Sequence, residues 1–210
     1  MQAIFIRHGQ STGNAGVPCS DPALIELTEL GWQQARDVAH GWTEPPSLIV
    51  TSPYLRTQQM AAPTIERFPK VPVEVWPIQE FTYLQPNRWN GTRTEERLPH
   101  IIRYWRYANT AFCDGEGAES FSDLLGRAQA SLERLESLPS DALVYLFSHG
   151  QFIQAVQSLV TDVELNAQEK MRKFWIQGEP PVISNCQRLK FHFATAEGWE
   201  FVSSVLMPAA

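Results

Sequence analysis

The 210 residues are 43% hydrophobic and 19% charged, the composition of an ordinary globular chain with apolar material for one sizeable core. A net charge of -6 gives the molecule as a whole no electrostatic footprint for duplex nucleic acid or an anionic membrane surface, so any anion it binds is captured locally. Cys19, Cys113 and Cys186 are odd in number, far apart and in no CxxC spacing, which argues against a disulfide framework or a thiolate metal site and points to a reducing, cytoplasmic compartment. The apolar start MQAIFI is too short for the core of a signal peptide, and no stretch approaches the length that spans a bilayer.

Short apolar runs recur between longer helical patterns. AIFI at 3–6 is the first predicted strand. It is followed by LTELGWQQARDVAHGW, where Thr28 can cap a helix with Leu30, Ala35, Val38 and Ala39 near one face. SLIV at 47–50 is the second strand, and TSPYLRTQQMAAPTIERF follows it with Ser52 as the expected N-cap and Pro53 at the first helical position. VPVEVWPI at 71–78 is the third strand.

Residues 81–118 are richer in polar and aromatic side chains and weakly periodic, except for a stripe of Leu98, Ile101, Ile102, Trp105 and Phe112. They are expected to form a helical and loop insertion beside the sheet. Ser120 and Asp123 have the spacing of a capping box at the head of FSDLLGRAQASLERLESL, ALVYLF at 142–147 is the fourth strand, and QRLKFHFATAEGWEFVSSV is a hairpin closing the sheet edge. Strands alternating with helices predict an α/β fold, a three-layer α/β/α sandwich on a mostly parallel sheet, in one domain over 1–210 with the insertion lying over the active site.

Two strands end alike. AIFIRHG leaves Arg7 and His8 at a carboxyl end and ALVYLFSHG leaves His149 at another, where open α/β sheets bind ligands. SLIVTSPYLRT breaks from strand to helix with Arg56 in the first helical turn, and a helix start offers unpaired N–H donors beside a guanidinium fork suited to phosphate oxygens. Two arginines, two histidines and a helix start describe a pocket for a dianion, most simply a phosphoryl group, whose charge offsets the desolvation of Arg7 and His8.

RHGQSTGN, LTELGWQQA, TSPYLRTQQMA, GAES and SHGQFIQ together resemble, in order, the motifs of the histidine phosphatase superfamily, the phosphoglycerate mutase-like proteins. RHG alone is a three-residue match that more often marks a surface turn; RHG, SPxxRTxQ and SHG in one chain are specific. The resemblance implies that His8 is the nucleophile, forming a phosphohistidine, with Arg7, Arg56 and His149 holding the non-bridging oxygens and with neither metal nor cofactor. It also implies one carboxyl acting in turn as acid and base after the third strand, which points to Glu80, with Glu95, Glu96 and Glu119 as competitors. Asn14, Ser20, Tyr83 and Gly150 fall where similar proteins meet substrate. Gln10 replaces a common Glu, no arginine closely follows Asn14, and Phe81 follows the acid, departures that weigh against a mutase.

The expected partner is a small phosphorylated metabolite, with no nucleic acid or membrane, and monomer or homodimer left open. Arg88, Arg93, Arg97, Arg103 and Arg106, interleaved with Trp89, Tyr104, Trp105 and Tyr107, form a candidate basic-aromatic lid or a solvated helix face. A metallohydrolase lacks its HxH or HxxxH pairing here, while a mutase or a non-catalytic phosphate-binding module stand as alternatives to the hydrolase.

Overall fold

The computed structural model describes residues 1–18, 21–175 and 183–205. Six strands, β1 (Gln2–Arg7), β2 (Leu48–Thr51), β3 (Val73–Val75), β4 (Leu143–Ser148), β5 (Arg188–Ala194) and β6 (Gly198–Val205), form one sheet in the order β3-β2-β4-β1-β5-β6. The first four are mutually parallel, and the β5–β6 hairpin is added antiparallel along β1, as expected of a closing edge. Only Val73–Val75 of the third apolar run is strand, because it lies at the sheet edge with a single partner and with Val73 and Val75 exposed.

Alternate residues of the central strands feed two cores, one on each face. Ala3, Phe5, Val50, Val144 and Leu146 pack beneath α5 (Phe121–Glu136), α6 (Gly150–Thr161), α4 (Thr94–Tyr107) and α7 (Ala167–Lys173). Ile6, Ile49, Tyr145 and Phe147 pack beneath α1 (Glu29–His40) and α2 (Leu55–Arg67). Both faces are covered, which is why all six residues of β4 are buried and its sequence runs apolar instead of alternating. Among the described residues, no helix is long and apolar enough to cross a membrane.

Thr28 caps α1 as expected, accepting from Gly31 N, but the buried face is Gly31, Ala35, Val38 and Ala39, with Leu30 exposed. The start of α2 differs from expectation. Tyr54 is the N-cap and the helix begins at Leu55, because the Ser52 hydroxyl is directed to a buried imidazole and Pro53 remains in the turn. The insertion holds the short α3 (Pro86–Trp89) and α4, whose inward face is Ile101, Tyr104, Trp105 and the C-cap Ala108, a two-turn stripe at i, i+3, i+4 and i+7. Leu98 and Phe112 of the predicted stripe are exposed.

The loop after β1 crosses α1 at backbone contact. A Cβ on Gly31 would stand 2.1 Å from the Gln10 carbonyl oxygen, and one on Gly9 would stand 2.8 Å from the Gly31 carbonyl oxygen. Two glycines let the loop carrying His8 lie on the helix. Gly31→Ala therefore pushes two backbones apart, and thermal or urea denaturation should show a loss of about 1–3 kcal/mol, the cost of overpacking; a variant as stable as wild type would refute the crossing.

Candidate active site

The site is set by strand register. Parallel pairing places Arg7 opposite Ser148, so the next residues, His8 and His149, leave the sheet side by side with ring centroids 5.2 Å apart. Pairing of Thr51 with Phe147 brings Ser52 to the same edge, 2.7 Å from His149 Nε2 through its Oγ. The segment after β3 is fastened there by Ser148 Oγ, which donates to the Ile78 carbonyl at 2.7 Å, and by Arg127, which donates to the Pro77 and Gln79 carbonyls. Glu80 follows at once.

Arg7, His8, Asn14, Arg56 and Glu80 line one cleft of about 780 Å3. His8 is 3% exposed. Its Nδ1 lies 2.8 Å from the Gly9 carbonyl oxygen, which can only accept, so Nδ1 carries the proton and Nε2 holds the lone pair. Arg56 donates from Nε to that lone pair at 3.1 Å and from Nη1 to the Pro22 carbonyl at 2.7 Å. Arg7 donates to the Ile183 carbonyl, and its buried Nε has no hydrogen-bond partner among the described residues. The Asn14 Oδ1 accepts from Ser11 N, Ser11 Oγ and Asn185 Nδ2, so Asn14 has only its amide N–H groups to offer a ligand.

Glu80 Oε1 accepts from Phe81 N and Gln151 N, each at 3.0 Å, which leaves Oε2 as the atom able to exchange a proton. The competing carboxylates are placed differently. Glu119 is bound by Arg127 at 2.6 and 2.9 Å and accepts from Thr82 N, and Glu96 accepts from Arg93 N at the head of α4. Glu95 lines the outer part of the same cleft.

His149 is fully buried with its ring edge-on to that of His8 and is not among the residues lining the cleft; its Nδ1 has no hydrogen-bond partner among the described residues. Gly150 opens α6, with room for a Cβ 3.6 Å from Arg7 Nε, so its role is not steric. Tyr83 departs from expectation. It packs against Phe81, Tyr104 and Trp105 in an aromatic cluster, with ring centroids 4.9–5.5 Å away, and is not among the residues lining the cleft. Ser20 lies outside the described residues.

The basic-aromatic segment divides in two. Arg93 and Arg97 line the same cleft as Arg7, His8 and Arg56, whereas Arg88 and Arg103 line a separate outer groove of about 680 Å3, Arg106 lies beyond it, and Tyr104 and Trp105 are core. Sequence reasoning missed Asn185, which donates to the His8 carbonyl at 2.8 Å from 177 residues away, and Thr57, whose Oγ1 lies 2.7 Å from Ser52 Oγ. Asn185 carries no local signal; Thr57 sits inside the SPxxRT motif, which was the available clue.

The family model described as histidine phosphatase superfamily (branch 1) matches residues 3–176. A curated relative named "Probable phosphoglycerate mutase GpmB", from Yersinia enterocolitica, is 26% identical over 181 residues, 82% of this chain and 80% of its own. Among solved structures, phosphoserine phosphatase of Entamoeba histolytica in complex with 3-phosphoglyceric acid is similar at TM-score 0.75 and 20% identity, over 99% of this chain and 98% of that one. A mycobacterial glucosyl-3-phosphoglycerate phosphatase complexed with VO3 is similar at TM-score 0.73 and 24% identity, over 96% of each chain. At these identities the likeness is one of fold.

Burial lowers the pKa of His8 and His149 well below the ordinary 6.5, and Arg56 and Arg7 beside both rings lower it further. Above pH 6.5 neither the folded nor the unfolded chain protonates them; as pH falls through 6.5 the unfolded chain alone does, so stability declines toward the lowered folded values. Each histidine can contribute a slope of up to about 1.4 kcal/mol per pH unit. The melting temperature should therefore drop between about pH 7 and about pH 5, and drop less in His149→Gln; equal drops in the two proteins would show that His149 is not responsible.

Proposed function

The chain belongs to the histidine phosphatase superfamily, and we propose that it is a phosphomonoester hydrolase working through a phosphohistidine on His8, with a small anionic phosphorylated metabolite as substrate. The observation that carries this reading is the His8 tautomer: the Gly9 carbonyl holds the proton on Nδ1 and leaves the Nε2 lone pair in the cleft beside two guanidinium groups. Nε2 attacks phosphorus as the ester P–O bond breaks, and the leaving oxygen takes its proton from the Glu80 carboxyl. The Glu80 carboxylate then takes a proton from the water that attacks phospho-His8, the P–N bond breaks, and phosphate and free imidazole result. Arg7, through its unpartnered Nε, and Arg56, on giving up its bond to His8, hold the equatorial oxygens. Asn14 adds amide donors.

Arg93 and Arg97 favour an anionic alcohol portion, and compounds named for similar proteins, glucosyl-3-phosphoglycerate and phosphoserine, head a substrate screen. The cysteine pattern supports a cytosolic location. A mutase reading is favoured by the similarity to the Yersinia protein; it uses the same groups but returns the phosphoryl to a retained product.

Hydrolysis of p-nitrophenyl phosphate in the presence of a chelator, with acid-labile phosphoenzyme trapped in parallel, tests the proposal. Wild type should release inorganic phosphate without a bisphosphate primer, His8→Ala should lose both turnover and phosphoenzyme, and Glu80→Gln should lose about 100- to 10,000-fold in turnover. Turnover surviving in His8→Ala would overturn the mechanism, dependence on a bisphosphate would establish the mutase, and a wild type without turnover or phosphoenzyme would overturn the hydrolase and point to a strict mutase or a binding module.

A further inference from the structure

The protons behind the nucleophile can be placed by counting donors. Thr57 has one hydroxyl proton, and its Oγ1 lies 2.7 Å from the Tyr54 carbonyl oxygen, which can only accept. Toward Ser52 Oγ, 2.7 Å away, Thr57 is therefore an acceptor, and Ser52 donates its single proton there. Ser52 Oγ also accepts the Tyr54 amide N–H at 3.1 Å. It then has only a lone pair left for His149 Nε2 at 2.7 Å, so Nε2 must carry the ring proton. The opposite arrangement, with Ser52 donating to Nε2, turns the Thr57 proton toward Ser52 and leaves Thr57 Oγ1 and the Tyr54 carbonyl oxygen facing each other at 2.7 Å with no proton between them. His149 Nδ1 is thus a bare, buried lone pair.

We propose that Ser52 and Thr57 are positioning residues that lock His149 in the Nε2–H tautomer, so that a phosphoryl dianion seated against Nδ1 draws one proton from solvent onto that nitrogen. The inference rests on the proposed phosphoryl site and on the phosphoryl group reaching past the cleft lining to His149, whose ring packs edge-on to that of His8 with centroids 5.2 Å apart. The step balances simply: dianion, neutral imidazole and one proton from water give a dianion hydrogen-bonded to an imidazolium, and no bond to phosphorus forms or breaks. On release the proton returns to water.

The surroundings drive both states. His149 is faced by Arg7 and His8 from β1, Arg56 from α2 and Arg127 from α5, with the Tyr54 ring edge-on at 5.3 Å and Glu80 in the adjoining cleft. Cations and burial keep the imidazole neutral when the cleft is empty. Two negative charges delivered beside Nδ1 reverse that balance, and the imidazolium adds a third cation to the two guanidiniums around the phosphoryl group. The lock makes that cation conditional on the ligand.

Calorimetric titration of inorganic phosphate into the whole chain, above phosphate's second ionisation and in two buffers of different ionisation heat, counts the protons exchanged. Wild type should take up about one proton per phosphate bound. Thr57→Val removes the acceptor of the Ser52 proton, Ser52 turns to donate to Nε2, the ring proton moves to Nδ1, and uptake should fall to about zero; Thr57→Ser should keep it. Phosphate bound by wild type without uptake, or undiminished uptake in a folded Thr57→Val, would overturn the tautomer lock and leave the phosphoryl site standing. Absence of phosphate binding by wild type would overturn the reading of the cleft and this inference with it. If Thr57→Val does not fold, the wild-type proton count decides alone.

Discussion

The lateral register of three parallel strands is the constraint on which the rest depends. With Arg7 opposite Ser148 and Thr51 opposite Phe147, three strands end at one level and hand their next residues to one place. Backbone bonds carry the register past the strand ends, His8 N to the Ser148 carbonyl and Ser52 N to the Phe147 carbonyl. A slip of one residue in β4 would turn Tyr145 and Phe147 to the opposite core and at the same stroke part the two imidazoles. The apolar faces of β4 therefore enforce the geometry of the polar site, and the chemistry inherits its precision from packing.

That geometry gathers positive charge where water is scarce. The described contacts of Arg7 and the Nη1 contact of Arg56 run to backbone carbonyls, of Ile183 and Pro22. A carbonyl satisfies a guanidinium N–H without neutralising it, so orientation is fixed while the charge remains for a ligand. The contrast with Arg127 is instructive. It is neutralised by Glu119 and used to brace the carbonyls of Pro77 and Gln79, a structural task that steadies the approach to Glu80.

The elements legible in the sequence were those whose signals are local. Alternation of apolar runs with helical patterns gave the layers, and RHG, SPxxRT and SHG each sit where a strand ends, so the polar residues on them fall together once the sheet forms. Helix faces and starts were less legible because tertiary partners decide them. Ser52 has the residue type and place of a cap, yet a buried His149 competes for the same oxygen and holds it. The predicted stripe on α4 missed Tyr104 and Ala108 because their burial comes from the aromatic cluster around Phe81 and Tyr83, which no window of sequence contains. Asn185, fastened to His8 across 177 residues, is invisible for the same reason.

The same division bears on hydrolysis against mutation. On the proposed reading both need the same anion-binding end, and they differ in whether water or a retained alcohol would reach a phosphorylated His8 first. Here the described cleft lining after β1 includes Asn14, Gly16, Val17 and Pro18, all exposed, with Val17 at 54%. Among the described residues, Arg93 and Arg97 on the insertion side are the cations of this cleft besides Arg7 and Arg56, and in the proposed mechanism they hold the alcohol portion. Glu80 is anchored by one oxygen to two backbone amides, so in the proposed mechanism its free oxygen would serve acid and base steps without moving. An open rim and a stationary base both favour water, because water needs no recognition to compete, whereas a retained alcohol must be gripped through the whole life of the intermediate.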